Sequence, residues 1–431
     1  MEKSGKGKTI FYGWKLLAAV FVIMFFCGGF GYFVLTLFVT ELEREFGWDR
    51  TVMSNMAAMC GVLGALFAPL VGTSMERFGA RLTMAIGALL YVMAQVILAL
   101  MTGKLMLFTG GIMAGIGLAF CTIVPGQTLM TFWFHRYRGL AMGIMMMGYG
   151  VGAVVLMPLT SLLITHAGWR WSFGVIGITV FVIAIPSILI FIRSKPSDMG
   201  LLPDGISPEE ASESTQDKAL SGVSVKRAVT SLAFRLLLLI YVLQIFGQAM
   251  MGLHFVPFME GIGFTLQQGT SFWVLAIVVG IIGTVLFGWL GDRFSVKKLV
   301  ALVGLLFAVG VAILELCLIR LEMTSKVPLV SFAVCYGLGV GGAASLMPMF
   351  VGWCFGQRHF SRILGLLLVG LAIGTISGPT SAGWIFARTG SYEVAFSMCS
   401  AAFAVTFILA LMVTRKGLEE QVTEGEPVEH D

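Results

Sequence analysis

The chain has 431 residues, of which 58% are hydrophobic and only 12% are charged, against about 25% charged residues in a soluble globular domain. Its mean hydropathy of +0.93 excludes a water-soluble fold, because a chain of this length could not bury so much apolar surface. The net charge of +5 is spread over separate loops, which argues against a nucleic-acid-binding patch.

Charged residues divide the sequence into long apolar runs, and a helix needs about 20 apolar residues to cross a hydrocarbon core. Six runs precede residue 195, in the intervals 15–41, 50–76, 81–104, 104–136, 138–170 and 170–193. Six more lie in the intervals 235–260, 260–292, 298–315, 326–358, 362–388 and 393–415. Backbone groups in lipid must bond to one another, and unbroken apolar runs exclude alternating barrel strands. The sequence therefore predicts an all-α integral membrane protein with twelve transmembrane helices.

Basic residues indicate the orientation of these helices. If the N-terminus is inside, the outer loops hold seven of the 28 Lys and Arg residues and the inner segments hold 21. Because basic residues are retained on the cytoplasmic side, we expect both termini and the central loop in the cytoplasm, and the chain in the cytoplasmic (inner) membrane. The first run is too long for a signal-peptide core and lacks a small-residue cleavage site, so we expect an uncleaved span.

A polar segment rich in Ser, Pro, Asp and Glu separates the two groups of six spans. It predicts a first six-helix bundle over residues 1–194, a cytoplasmic linker over 195–226, and a second bundle with a short cytoplasmic tail over 227–431. The seven cysteines lie in apolar runs without a C-x-x-C pair or a histidine at ligand spacing. We therefore expect neither a metal site nor a cofactor.

The two halves repeat a pattern. The loop after the second span and the loop after the eighth both read G-x-x-x-[DE]-R-F, offset by 216 residues, and G-x-x-x-G pairs in the fifth and eleventh spans are offset by 222. Parallel repeats with a site between them are typical of alternating-access carriers. Each acidic-arginine loop could hold helix ends together on the cytoplasmic side and release them when that side opens. The predicted gating residues are Gly72, Glu76, Arg77, Arg81, Gly288, Asp292 and Arg293.

At these residues the chain resembles the major facilitator superfamily, whose loop between helices two and three reads G-x-x-x-D-R-x-G-R-[RK]. Here the segment 72–81 has Glu76 in the acidic place and one extra residue before Arg81. Further segments are similar to the bacterial branch related to monocarboxylate and oxalate carriers, namely 11–14, 46–50, 133–141, 168–173, 195–205 and 254–258. The resemblance implies two pseudo-symmetric six-helix bundles, a monomer in lipid, and transport of a small organic acid, proton-linked or facilitated.

The charged residues that bind the substrate in the best-known members of this branch are missing from the chain. The animal monocarboxylate carriers use a lysine late in helix one and an aspartate and arginine in helix eight for the anion and the proton. Alignment puts Thr36, Gly280 and Thr284 at those places in this chain. A carboxylate buried without a cation costs several kcal/mol, so the sequence leaves open a second substrate class, a neutral, amphipathic or drug-like solute.

Polar residues near the middle of the seventh span are the first site candidates. Gln244 and Gln248 lie about 13 and 20 Å along the helix from Arg235 and share a face, so they could bind a substrate or hold neighbouring helices. His254, near the outer surface, could carry a coupling proton or bond to a neighbour. Glu315 is predicted to reach the membrane surface.

In this superfamily helices one, four, seven and ten line the cavity. The resemblance therefore adds aromatic and hydroxyl residues to the predicted substrate site, each of which could equally serve packing. They are Tyr32, Thr36, Thr122, Tyr149 and Tyr336. An enzyme on this scaffold would need a nucleophile with its base, paired carboxylates or a metal cluster, and the spans offer none.

Overall fold

The computed structural model describes residues 11–31, 37–48, 50–205, 222–320 and 326–414. Within those ranges the chain is helical apart from short turns, and the only β-type pairing is an isolated bridge between Gly222 and Gly356. The spanning helices, numbered α1 to α12 in chain order, have the following bounds: α1 Tyr12–Gly28, α2 50–78, α3 80–99, α4 Lys104–Trp133, α5 Arg138–Ala167, α6 Trp169–Phe191, α7 Leu232–Gly261, α8 Leu266–Gly291, α9 Val296–Cys317, α10 Val327–Phe355, α11 Phe360–Thr389 and α12 Glu393–Met412.

The turn between α2 and α3 lies inside one continuous helical stretch, Arg50–Ala99. Gly79 interrupts it with φ 79° and ψ 168°, a backbone conformation that side chains with a Cβ rarely adopt. Ser194 Oγ, at the end of α6, accepts a hydrogen bond from Ala80 N at 2.9 Å and fixes the turn. With this stretch counted as two helices, the prediction of twelve spans is confirmed.

Several spans depart from regular α-helix near their middle. Five-residue π-helical segments occur at Met24–Gly28 in α1 and Val180–Ala184 in α6. A six-residue π-helical segment, Glu315–Arg320, overlaps the end of α9. In α4 the helix breaks at Thr122, whose φ of −115° and ψ of −101° separate Lys104–Cys121 from Ile123–Trp133. Such interruptions survive in a membrane only where neighbouring helices cover the freed backbone groups.

Glycines bring backbones into direct contact, and the two bundles do so in the same way. A Cβ on Gly115 of α4 would overlap the Cys60 carbonyl of α2. A Cβ on Gly337 of α10 would overlap the Ala276 carbonyl of α8. Both contacts join the second and fourth helices of a bundle. Because lipid gives apolar side chains no reason to associate, close backbone packing is what holds such helices together.

One end of the molecule carries the start of α1, the end of α6 and the linker residues 195–205, and we call it the linker end. At the opposite end a short helix, Val39–Phe46, covers the first bundle. Its Glu45 accepts hydrogen bonds from Trp169 Nε1 and Arg170 Nη1, both at 2.5 Å. Phe46 stacks on Trp48 with ring centroids 4.3 Å apart. The Phe46 ring also lies 6.0 Å from the Trp169 ring, so the two segments that resemble the family, 46–50 and 168–173, meet at these aromatic residues.

The position of Glu315 differs from the prediction that its side chain reaches the membrane surface. Its residue surface is only 8% exposed, and Ser397 Oγ of α12 donates to its Oε1 at 2.7 Å. The hydroxyl satisfies one carboxylate oxygen inside the helix contact, so the side chain lies between α9 and α12.

Replacing Gly115 by alanine is expected to destabilise the protein, because the methyl group meets a backbone carbonyl that cannot rotate away. Overpacking of this kind costs about 1–3 kcal/mol. The measurement is the apparent melting temperature in detergent. Gly174→Ala is the matched control, since nothing lies within 4 Å of the added Cβ. Equal melting temperatures for the two variants would contradict the packing account.

Acid is expected to weaken the contact of Glu45. The hydrogen bond from Trp169 and then that from Arg170 lower the pKa of Glu45 below its ordinary value. A carboxylate with a lowered folded pKa adds stability above its unfolded pKa and loses it as pH falls through the folded value. The melting temperature of the wild type should therefore fall more steeply between about pH 6 and pH 3 than that of Glu45→Gln. Parallel curves would refute this.

Candidate functional site

The two bundles meet at the linker end through two reciprocal helix pairs. A Cβ on Gly72 of α2 would overlap the Ser361 carbonyl of α11, and a Cβ on Gly288 of α8 would overlap the Gly139 carbonyl of α5. Gly72 and Gly288 are the first residues of the repeated loop motif. They are 216 positions apart, and their partners Ser361 and Gly139 are 222 apart. The closure is therefore pseudo-symmetric.

The acidic residue of each motif reaches across to the other bundle. Glu76 Oε2 lies 2.8 Å from Arg362 Nε and 3.4 Å from His359 Nδ1, and its Oε1 lies 3.4 Å from Ser361 Oγ. Asp292 Oδ1 accepts from Gly139 N at 2.6 Å, and Oδ2 accepts from Leu140 N at 2.9 Å. Each carboxylate thus holds the first turn of the partner helix, where the helix dipole favours negative charge.

Asp292 follows the last residue of α8 and occupies a partly desolvated place. Burial raises the pKa of its carboxyl, and the amides of Leu140 and Gly139 and the charge of Arg138 act in the opposite direction. The net pKa is raised. The backbone amides therefore offset only part of the cost of burying this charge.

The basic residues of the motifs do not cross between the bundles in this state. Arg77 and Arg81 are exposed, and the Arg77 guanidinium lies over the Phe78 ring at 5.4 Å. Arg293 is exposed as well and lies over the Trp289 ring at 4.0 Å. Such pairs place cations at the level where a membrane meets water.

The contact of α5 with α8 continues inward and then ends. A Cβ on Gly143 would overlap the Thr284 carbonyl, and a Cβ on Gly150 would lie 2.7 Å from Ile281 Cγ1. Toward the start of α8 the same face is exposed, at Leu266, Gln267, Thr270, Ser271 and Val274. The glycine contacts of α5 with α8 therefore run from the linker end as far as Gly150 and Ile281.

The two glutamines of α7 differ in burial and in hydrogen bonding. Gln244 is 3% exposed, and its buried Nε2 has no hydrogen-bond partner among the described residues. Gln248 is half-buried, and its backbone carbonyl accepts a hydrogen bond from the Tyr336 hydroxyl of α10 at 3.4 Å. Tyr336 itself is buried, with its ring stacked on Phe332 at 5.1 Å. The structure thus brings the Gln248 backbone and Tyr336 together, and the buried Nε2 of Gln244 lies one turn away on the same helix.

Two further candidates lie on the first bundle. Thr122 forms the break in α4, and its Oγ1 donates to the Leu118 carbonyl at 2.5 Å. Tyr149 of α5 packs against Gly28 of α1, where a Cβ would overlap the ring. Tyr32 and Thr36 lie outside the described residues.

His254 joins three helices of the second bundle on the side away from the linker end. Its Nε2 lies 3.0 Å from the Pro379 carbonyl of α11, and its Nδ1 lies 3.2 Å from the Tyr392 hydroxyl beside α12. A carbonyl only accepts, so Nε2 carries a proton, and neutral His254 accepts from Tyr392 through Nδ1. Both ring nitrogens are thus occupied within the bundle.

Sequence reasoning missed several polar residues that the structure makes prominent. Gln127 of α4 is 5% exposed, and its buried Oε1 has no described partner. Arg138 and Asp204 lie beside the contact of Asp292 with α5, within the segments 133–141 and 195–205 that resemble the family. That resemblance was the available signal, but nothing in the two segments shows that they meet.

A bundle of twelve membrane-spanning helices in two pseudo-symmetric halves, closed at one end, defines a membrane carrier. The sequence model of the Major Facilitator Superfamily matches residues 21–314 and 275–429, and the chain belongs to that family. It is a membrane transporter and not an enzyme.

Relatives and solved structures agree with this assignment. Monocarboxylate transporter 12 of Homo sapiens is 26% identical over 424 residues, which cover 93% of this chain and 80% of that protein. Monocarboxylate transporter 3 of Rattus norvegicus is 28% identical over 421 residues, covering 94% and 80%. The proton:xylose symporter XylE superimposes with a TM-score of 0.75 at 14% identity, covering 94% and 96%. The human organic anion transporter MFSD10 gives 0.68 at 14% identity, covering 92% and 99%.

Replacing Gly288 by valine is expected to open the linker end, because the added side chain would overlap the Gly139 carbonyl. Met349, 6% exposed and packed against Gly139, is a suitable reporter. In a Met349→Cys background with Cys317 and Cys335 changed to serine, Gly288→Val should raise the rate of labelling by a water-soluble maleimide about tenfold or more, a shift of about 1.4 kcal/mol.

Gly174→Val, on an open part of α6, controls for general loosening in the same background. Labelling of the Gly288→Val protein at the rate of this control would show that the glycine contact does not close the linker end.

Proposed function

We propose that the protein moves a small, monocarboxylate-like organic acid across the cytoplasmic membrane by alternating access. It works as a monomer, with its termini and linker in the cytoplasm and the bundles spanning 1–194 and 227–431. The observation that supports the substrate class best is the buried Nε2 of Gln244, which has no described partner. An orphan buried donor costs about 1–3 kcal/mol, and a carboxyl oxygen of a substrate would remove that cost.

The uncharged site favours an acid that binds together with a proton. No Lys or Arg stands where the animal carriers have their clamp, and Thr284 is buried with its Oγ1 donating to the Ile281 carbonyl at 2.7 Å. A bare carboxylate there would be desolvated without a cation, at a cost of several kcal/mol. A protonated acid is neutral and offers one donor and one acceptor, which an amide such as Gln244 complements.

The transport cycle then alternates two arrangements of the bundles. The structure has the linker end closed, and opening it requires loss of the contacts of Glu76 with α11 and of Asp292 with α5. These are charge-assisted contacts at a wet boundary, so water can replace them when they separate. Substrate would enter from the opposite end and leave into the cytoplasm, or move in reverse, according to its gradient.

A second candidate keeps the carrier and changes the substrate to a neutral, amphipathic or drug-like solute. It is favoured by the second clamp position, Gly280, which packs so closely on α10 that a Cβ would lie 3.3 Å from the Gly337 carbonyl. The site would then bind by apolar contact and a few neutral hydrogen bonds.

Uptake into proteoliposomes distinguishes the two. The panel is labelled lactate, pyruvate and short-chain acids with neutral amide analogues, each with and without an imposed pH gradient. Saturable acid uptake that rises several-fold with an inward proton gradient is expected, because the neutral acid is the bound species. Gln244→Leu and Gln248→Leu should raise the KM for the acid about tenfold, the equivalent of one lost hydrogen bond.

Two matched controls separate the site from general packing. Gln95→Leu makes the same chemical change between α3 and α6, where Gln95 packs on Gly177, and Glu315→Gln removes the intramembrane carboxyl. Both should keep the KM of the wild type. Uptake confined to the neutral analogues would reject the organic acid in favour of the second candidate.

A further inference from the structure

The first part of the linker has a defined position under the first bundle. Residues Pro196–Met199 form a 3-10 turn closed by Asp198, whose Oδ2 accepts from Lys195 N at 3.0 Å. Trp133 Nε1, at the end of α4, donates to the Arg193 carbonyl at 3.1 Å. The next turn, Pro203–Gly205, lies against α1 and the second half of α4. The segment therefore follows the bundle surface.

Asp204 lies at the end of this segment in an unusual backbone conformation. Its φ of 57° and ψ of 4° make it the only non-glycine residue with positive φ among the described residues. Aspartate and asparagine enter this left-handed region more readily than other side chains. Its Oδ2 accepts from His135 N at 2.9 Å and from Arg136 N at 2.6 Å. The backbone conformation thus directs the carboxylate at the loop between α4 and α5.

That loop leads directly into the gating contact. Gly139 N and Leu140 N, in the first turn of α5, donate to Asp292 of the second bundle. Four amides within residues 135–140 are therefore held by two carboxylates, one from the linker and one from the opposite bundle. Arg138 lies between them, and the charges of Asp204 and Asp292 both attract its guanidinium.

Arg138 also extends this group of contacts to α10. A Cβ on Gly352 would lie 3.3 Å from Arg138 Nη1, within the last turn of α10, where the helix dipole favours a cation. The start of α5 thus meets α8 through Asp292 and α10 through Arg138. Its orientation decides whether both contacts form together.

The far end of the linker is attached to the corresponding place on the second bundle. Val223 N donates to the Phe355 carbonyl at 3.1 Å, beside the bridge between Gly222 and Gly356. The offset of 222 that relates Gly139 to Ser361 places residues 135–136 opposite 357–358. The linker is therefore attached to equivalent loops of both bundles.

We propose that Asp204 is a positioning residue of the gate. By holding the amides of His135 and Arg136, it sets the first turn of α5 in the orientation that Asp292 can cap, and so stabilises the closed linker end. The linker thereby takes part in the switch between the two states. This rests on the proposed alternating access but on no particular substrate.

Asp204→Gly isolates the carboxylate, because glycine keeps positive φ at no cost. In the Met349→Cys background, with the serine changes at Cys317 and Cys335, this variant should be labelled by the water-soluble maleimide about fivefold to tenfold faster, without added substrate. Asp198→Asn is the matched control: this carboxylate lies six residues earlier and bonds to the linker's own Lys195. It should label at the background rate.

Asp204→Asn separates charge from geometry. Asparagine tolerates the left-handed backbone and keeps one acceptor oxygen, but it presents no charge to Arg138. The labelling rate of Asp204→Asn should therefore fall between the background rate and that of Asp204→Gly. Background rates for both Asp204 variants, with a normal gel-filtration profile, would overturn the proposal. So would equal acceleration by Asp198→Asn. If the glycine variant does not fold, the asparagine variant decides in the same way.

Because no substrate is present, the labelling result is independent of the uptake result. Unchanged labelling together with acid uptake would reject the role of Asp204 and keep the proposed function. Faster labelling together with uptake of neutral solutes only would keep the role of Asp204 and reject the organic acid as the substrate.

Discussion

Lipid offers no partner to a backbone amide or carbonyl, and this constraint shapes every level of the molecule. It turns the apolar runs into helices whose backbone groups bond internally. It also removes the usual hydrophobic reason for helices to associate, so that association depends on close packing. Glycines permit this packing: Gly115 of α4 packs against α2 and Gly337 of α10 packs against α8 within the bundles, and Gly288 of α8 packs against α5 between them. The same residue type thus builds the rigid halves and the contact that must separate.

What distinguishes the separable contact is charge at its edge. Gly115 and Gly337, which pack within a bundle, have no charged residue within one turn of the same helix, whereas Gly72 and Gly288 are followed one turn later by Glu76 and Asp292. A hydrogen bond to a charged group contributes about 1.5–3 kcal/mol, yet burial of Asp292 offsets part of that gain. A closed state favoured by only a few kcal/mol is one that a bound solute can shift.

The sequence predicted the spans, the repeat and the close approach of helices at Gly72 and Gly288, because each depends on local pattern or on comparison of the halves. It could not predict which groups the carboxylates meet. The structure has Asp292 on the amides of Gly139 and Leu140, about 150 positions earlier. Backbone donors carry no signature in a sequence. The same limit applies to Asp204, and Glu315 was misjudged because Ser397 lies on another helix.

The polar groups of this carrier differ between the linker end and the middle of the spans. The gate, at the wet boundary, uses full charges, which are cheap to expose and strong when they meet partner amides. In the spans the predicted site consists of amides, hydroxyls and the His254 imidazole, and Gln244 is the member whose buried donor has no described partner. A bare anion would have to bring its own counter-charge to such a site, and a proton is the smallest. In the proposed function, the missing clamp explains why the acid binds in its protonated form, because the residues proposed to bind it include no lysine or arginine.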